Sequence, residues 1–129
     1  MDLTEDLEQF PVTIQIGSLD HYGSGVIGLC ETGYGLRRVT LDPDFWNNVS
    51  NTQKELLMHH ELGHCILYRA HRTSLLSSGA EASIMYPIIM ASSTYLNDYN
   101  YYQNELFTWG AATLPVDGST QHICDQSEL

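Results

Sequence analysis

Through the middle of this sequence runs a segment that has to bring two imidazoles and a carboxylate to one point. Ser50 is followed three residues later by Gln53, the spacing of a capping box, in which hydroxyl and amide each satisfy an otherwise unpaired backbone donor. From Thr52 to about Tyr68 there is no proline and one glycine, Gly63. Leu56, Leu57, Leu62, Cys65, Ile66 and Leu67 supply apolar surface to bury under a sheet. Inside this predicted helix lies His60-Glu61-Leu62-Gly63-His64. Residues four apart stand one turn apart on the same face, so both imidazoles can reach one Zn²⁺ at about 2.0–2.1 Å, with Glu61 beside them.

That spacing points to hydrolysis. A zinc ion of this kind activates water and polarises a carbonyl, and Glu61 is the candidate general base and acid. A catalytic zinc takes three protein ligands and leaves one place to solvent, so His60 and His64 need a third partner. His71 is the first candidate. On a straight helix it stands about 10 Å further along the axis than His64. The helix therefore has to stop near Tyr68 or Arg69 and the chain double back. With no glycine at the reversal, a residue between Leu67 and Ala70 has to take positive φ, at a cost of about 1 kcal/mol. Glu105 and Glu81 are the competing third ligands. His59, His21 and His122 read as surface or hydrogen-bonding residues.

Around this helix the pattern is that of one domain, residues 1–129, of α+β class. Val12–Ile16 alternates, Val26–Cys30 and Arg37–Leu41 read as two more strands, and Asp42-Pro43 opens a short helical turn through Phe45 and Trp46. Residues 72–81 read as loop, Pro87 and Ser92-Ser93 as irregular chain. A last helix is expected from Asn97 or Asp98, with Tyr95, Tyr99, Tyr102, Leu106 and Trp109 along one stripe. Residues 1–9 and 111–129 read as loose tails. The three cysteines, Cys30, Cys65 and Cys124, are odd in number, widely spaced and without a C-x-x-C pair, so no disulfide framework is expected. Cys65 reads as a small buried apolar residue.

Sixteen acidic residues against five basic ones give a net charge of −11, which repels a phosphate backbone and argues against nucleic acid as a partner. No apolar run approaches the roughly 18 residues of a membrane helix, and the acidic N-terminus lacks the look of an export signal. The default expectation is a soluble cytoplasmic protein, with a phage particle or non-classical release as other settings.

With His60, Glu61, His64 and His71 followed by Ser83-Ile84-Met85-Tyr86-Pro87, the chain resembles the metzincin clan of zinc peptidases, and Met-Tyr-Pro looks most like the matrixin version. The resemblance covers roughly residues 10 to 109. It implies a small twisted mixed sheet packed on an active-site helix, a Met-turn and a C-terminal helix. One catalytic Zn²⁺ would be held by His60, His64 and His71. Met85 would form a hydrophobic floor under the histidines, and Tyr86, beside it, is a candidate for lining the substrate pocket. It also implies an extended peptide or protein substrate along a sheet edge, here the strand near Val26 to Leu29, in a shallow open cleft. The clan usually has glycine three residues after the second histidine and the third ligand three beyond that. This chain has Leu67 and Ala70 there, and His71 comes one residue later. Two other readings stay open: a metal-stabilised structural or binding module of a larger assembly, and a gluzincin-like peptidase using Glu105.

Overall fold

The computed structural model describes residues 12–23, 25–33, 36–108 and 120–125. The expected tail at 1–9, the turn at Tyr34-Gly35, Trp109 and residues 111–119 lie outside them. The described residues form an α+β arrangement. Four strands make a mixed sheet in the order β1-β3-β2-β4: β1 (Thr13–Ile16), β2 (Val26–Gly33), β3 (Leu36–Leu41) and β4 (Thr120–Asp125). β1 runs parallel to β3, while β2 is antiparallel to both β3 and β4. Four helices complete it: α1 (Pro43–Trp46), α2 (Asn51–Cys65), α3 (Ser92–Asn97) and α4 (Tyr99–Thr108).

The helix starts follow their caps. Asp42 accepts from the Asp44 N–H with Pro43 at the first helical position, and its other carboxylate oxygen takes the Leu19 N–H. Ser50 Oγ accepts from the Gln53 N–H at 3.2 Å, as the capping-box spacing requires. α2 then buries Leu57 and Cys65 against Ile27, Cys30, Val39, Leu41 and Phe45 of the sheet and α1. A second core, of Leu56, Ile84, Met85, Met90, Tyr95, Tyr102 and Leu106, lies between α2 and the two C-terminal helices. Among the described residues, no helix is long and apolar enough to cross a membrane.

Four expectations change. α2 ends at Cys65 rather than near Tyr68. Ser92-Ser93 begins a helix, so the C-terminal helical region starts earlier than Asn97. The loop expected over residues 72–81 is found, pinned where the Arg72 N–H bonds the Met85 carbonyl, the Ala82 N–H bonds Ser74, and the Leu76 N–H bonds Ala80 across a turn with Gly79 at φ 91°. Residues 120–125, expected to be part of a loose tail, form β4 along β2. As a result the Val26–Leu29 segment is not an edge: β2 sits between β3 and β4.

The fourth change is a disulfide. Cys30 on β2 and Cys65 at the end of α2 are bonded, with α-carbons 5.7 Å apart. Spacing in sequence gave no hint of it, because only the packing of helix under strand brings together residues 35 apart. The expectation that Cys65 is buried does hold.

Candidate metal centre

α2 presents His60, Glu61 and His64 at its buried side, each essentially without solvent exposure. His60 Nδ1–H donates to the Ile84 carbonyl at 2.7 Å, and His64 Nδ1–H donates to the Arg69 carbonyl at 2.7 Å. Each bond fixes its ring's tautomer and leaves the Nε2 lone pair directed inward. The two Nε2 atoms stand 3.2 Å apart, and His71 Nε2 lies 3.3 Å from that of His60. Two lone pairs at that distance repel each other unless a cation lies between them. Ligands about 2.0–2.1 Å from one tetrahedral ion stand about 3.3 Å apart, which is the separation found. Among the described residues, His60, His64 and His71 are the donor group close enough to share an ion. His71 is only half-buried, so the centre opens to solvent on its side.

The reversal that delivers His71 is built as the missing glycine required. Ile66 N–H bonds Leu62, Arg69 N–H reaches back to the Gly63 carbonyl, and Tyr68 adopts φ 55°, alone in that region among the described non-glycine residues. Its cost of about 1 kcal/mol is offset by its side chain. The Tyr68 hydroxyl accepts from Arg37 on β3 at 2.9 Å, and that guanidinium lies 5.6 Å from the ring centre.

Glu105 does not join the histidines. Its carboxylate takes Arg69 and Arg72 at 3.0 Å each and the Ser83 hydroxyl, while Arg69 also donates to the carbonyls of Glu105 and Leu106. Arg69 and Glu105 are both nearly fully buried. With both of its carboxylate oxygens engaged, Glu105 works as a clamp that holds the His71 arm and the 83–85 turn to α4. Ser83 Oγ in turn accepts from the Met85 N–H. Glu81 is also elsewhere: its carbonyl takes the Tyr102 hydroxyl, and its chain pairs with Leu75.

Two glycines set how closely the walls approach. A β-carbon on Gly28 of β2 would stand 2.5 Å from Glu61 Oε2, so the strand's lack of a side chain there is what accommodates the carboxylate. On α2, a β-carbon on Gly63 would overlap Met85 Sδ. Met85 is fully buried beneath the helix, next to the carbonyl that orients His60, and Tyr86 follows it half-buried, its N–H closing a turn on the Ser83 carbonyl. Of the other histidines, His59 bonds the Glu55 carbonyl and His21 packs at a tilt against Tyr22; neither belongs to the donor group. His122 falls on β4.

The clamp of Arg69, Arg72, Ser83 and Glu105, the Arg37–Tyr68 anchor and the Gly28 contact were not read from the sequence. Their partners are 22 to 37 residues apart, and no local pattern marks them. A scan against protein-family models found no matching family, and searches of curated proteins and of solved structures found no match.

Proposed function

We propose that this chain is a zinc peptidase of metzincin-like type, with His60, His64 and His71 holding the ion and Glu61 acting as general base and acid. The observation that carries the reading is the convergence of three imidazoles, with the Nε2 atoms of His64 and His71 3.2 and 3.3 Å from that of His60 and all three ligand atoms within 4.8 Å of one another, beside a buried glutamate. A Zn²⁺ ion held there supplies Lewis acidity, polarising a substrate carbonyl and making water easier to deprotonate. Glu61 takes a proton from water as the water oxygen bonds to the carbonyl carbon. It passes that proton to the amine nitrogen as the C–N bond breaks. The Ile84 and Arg69 carbonyls keep His60 and His64 aimed throughout, and Gly28 leaves Glu61 room beside β2.

The one-residue departure from the clan's spacing supports the same reading. The clan's glycine stands three residues before its third ligand, and here Tyr68, at φ 55°, stands three residues before His71, so that interval is retained. Met85 under the helix agrees with the role of a floor. The structural-module reading has less support, because a closed structural site has no use for a buried glutamate beside its ligands.

Purified chain offered Zn²⁺ should bind one ion, and it should cleave an unstructured polypeptide such as casein. Glu61→Gln should keep the ion and lose turnover by about 10²–10⁴-fold, and His71→Ala should weaken ion binding. A chain that stays metal-free, or a Glu61→Gln chain with full turnover, overturns the proposal.

A further inference from the structure

β2 has a neighbour along each side. β3 occupies one, and β4 runs antiparallel along the other, with Gly28 opposite Cys124, Leu29 opposite Ile123 and Cys30 opposite His122. Which side faces the metal centre follows from α2, whose successive residues turn by about 100°. Starting from Glu61, which faces Gly28, Cys65 lies about 40° round one way, and His64 and His60 lie about 60° and 100° round the other. Met58 and Leu62, on the Cys65 side, pack with the cluster that contains Val39 and Leu41 of β3. The histidines therefore lie toward the side of β2 that β4 covers. Gly28, the register partner of Cys124, is also the residue whose α-carbon stands against the Glu61 carboxylate.

A strand edge offers a row of backbone donors and acceptors, and an extended peptide binds by filling that row. Beside this site the row belongs to β2, and the chain's own last strand already fills it. Taking that edge of β2 as the place where an extended peptide docks, as the clan resemblance implies, we infer that β4 is its built-in occupant. The C-terminal strand thus competes with substrate, an inference that rests on the peptidase reading for what the docked peptide undergoes. Were β4 docked for about 90–99% of the time, peptide affinity would be lowered about 10- to 100-fold.

Successive N–H groups of a strand point to opposite sides, so replacing both Ile123 and Cys124 by proline removes one donor facing β2 whatever the phase. In the zinc-loaded Glu61→Gln chain, a fluorescein-labelled peptide of the Thr120–Asp125 sequence is titrated with and without Ile123→Pro and Cys124→Pro, and read by anisotropy. Binding should be at least about tenfold tighter with the prolines, and bound peptide should protect β2 amides from hydrogen exchange. Equal affinity in the two chains, or protection at β1 instead, overturns the inference.

Should the proline chain fail to fold, the Glu61→Gln chain alone gives the answer. Excess peptide should strip exchange protection from residues 120–125 while β2 stays protected; no such exchange of partners at millimolar peptide overturns the inference. With Glu61 intact, cleavage of casein should rise in the proline chain. Cleavage at an unchanged rate leaves the peptidase reading standing and removes this one. Peptide binding as described with no cleavage in either chain does the reverse.

Discussion

Replacing Gly63 by alanine tests how tightly the helix that carries His60 and His64 is set on Met85. By helix propensity alone the change favours the folded state by about 1 kcal/mol. The structure opposes it: the new β-carbon overlaps Met85 Sδ and comes within 3.3 Å of Met85 Cε and 3.2 Å of Leu106 Cδ1. A methionine can usually swing aside. Met85 is fully buried among Leu56, Ile84, Met90, Tyr95, Tyr102 and Leu106, so moving it overpacks the core, at about 1–3 kcal/mol. The net expectation is a loss of about 1 kcal/mol. In a Met85→Ala background the overlap is gone, and the same Gly63→Ala change should stabilise by about its propensity gain of 1 kcal/mol. The sign reverses between backgrounds, a coupling of about 2 kcal/mol. Urea unfolding of the four chains in chelator, with unchanged slopes, measures it. In the parent background, zinc affinity should also fall, by about tenfold or more, because displaced Met85 drags the Ile84 carbonyl that aims His60. A Gly63→Ala chain that is more stable than the parent, or an equal effect in both backgrounds, would refute the packing argument.

Gly28→Ala should keep zinc yet lower kcat by about 100-fold, since the β-carbon displaces Glu61 by about an ångström; metal content and steady-state kinetics on one preparation check it. Glu105→Ala leaves Arg69 buried without its carboxylate and should destabilise by about 3–5 kcal/mol in thermal or urea unfolding, with Glu105→Gln milder. Burial pushes the Tyr95 and Tyr102 phenols above the ordinary tyrosine range, and the Glu55 carboxylate beside Tyr95 adds to the rise. A raised folded value favours the neutral phenol, so this contribution to stability is complete below about pH 10 and is lost as the pH climbs through the folded values. In an alkaline absorbance titration these two phenols should ionise last, together with unfolding, and Tyr95→Phe should remove one of them.

What the sequence discloses is what short-range rules govern. Ser50 and Gln53 announce where α2 starts, the four-residue spacing puts His60 and His64 on one face, and the need for a left-handed residue before His71 is met at Tyr68. Read from the sequence, the helix runs past its end at Cys65, because Ile66, Leu67 and Tyr68 continue an acceptable helical pattern. The chain instead turns at Tyr68, whose hydroxyl accepts from Arg37 on a strand 31 residues earlier. The disulfide, the Glu105 clamp and β4 share that character. Thr120-Gln121-His122 has no apolar alternation to mark a strand, and its pairing depends on β2 offering an edge. Whether Val26–Leu29 borders the sheet is likewise decided by chain arriving from the far end of the sequence.

The two rings on α2 are steered by peptide oxygens at positions 69 and 84, not by side chains. No substitution can delete a main-chain carbonyl. Evolution could therefore exchange the residues at those two sites and still keep both imidazoles on target, provided the path of the backbone survives. The residues that guard that path are the remote ones, Arg37 under Tyr68 and Glu105 under Arg69. Damage there would misdirect the imidazoles while every nitrogen of the trio remained in the chain.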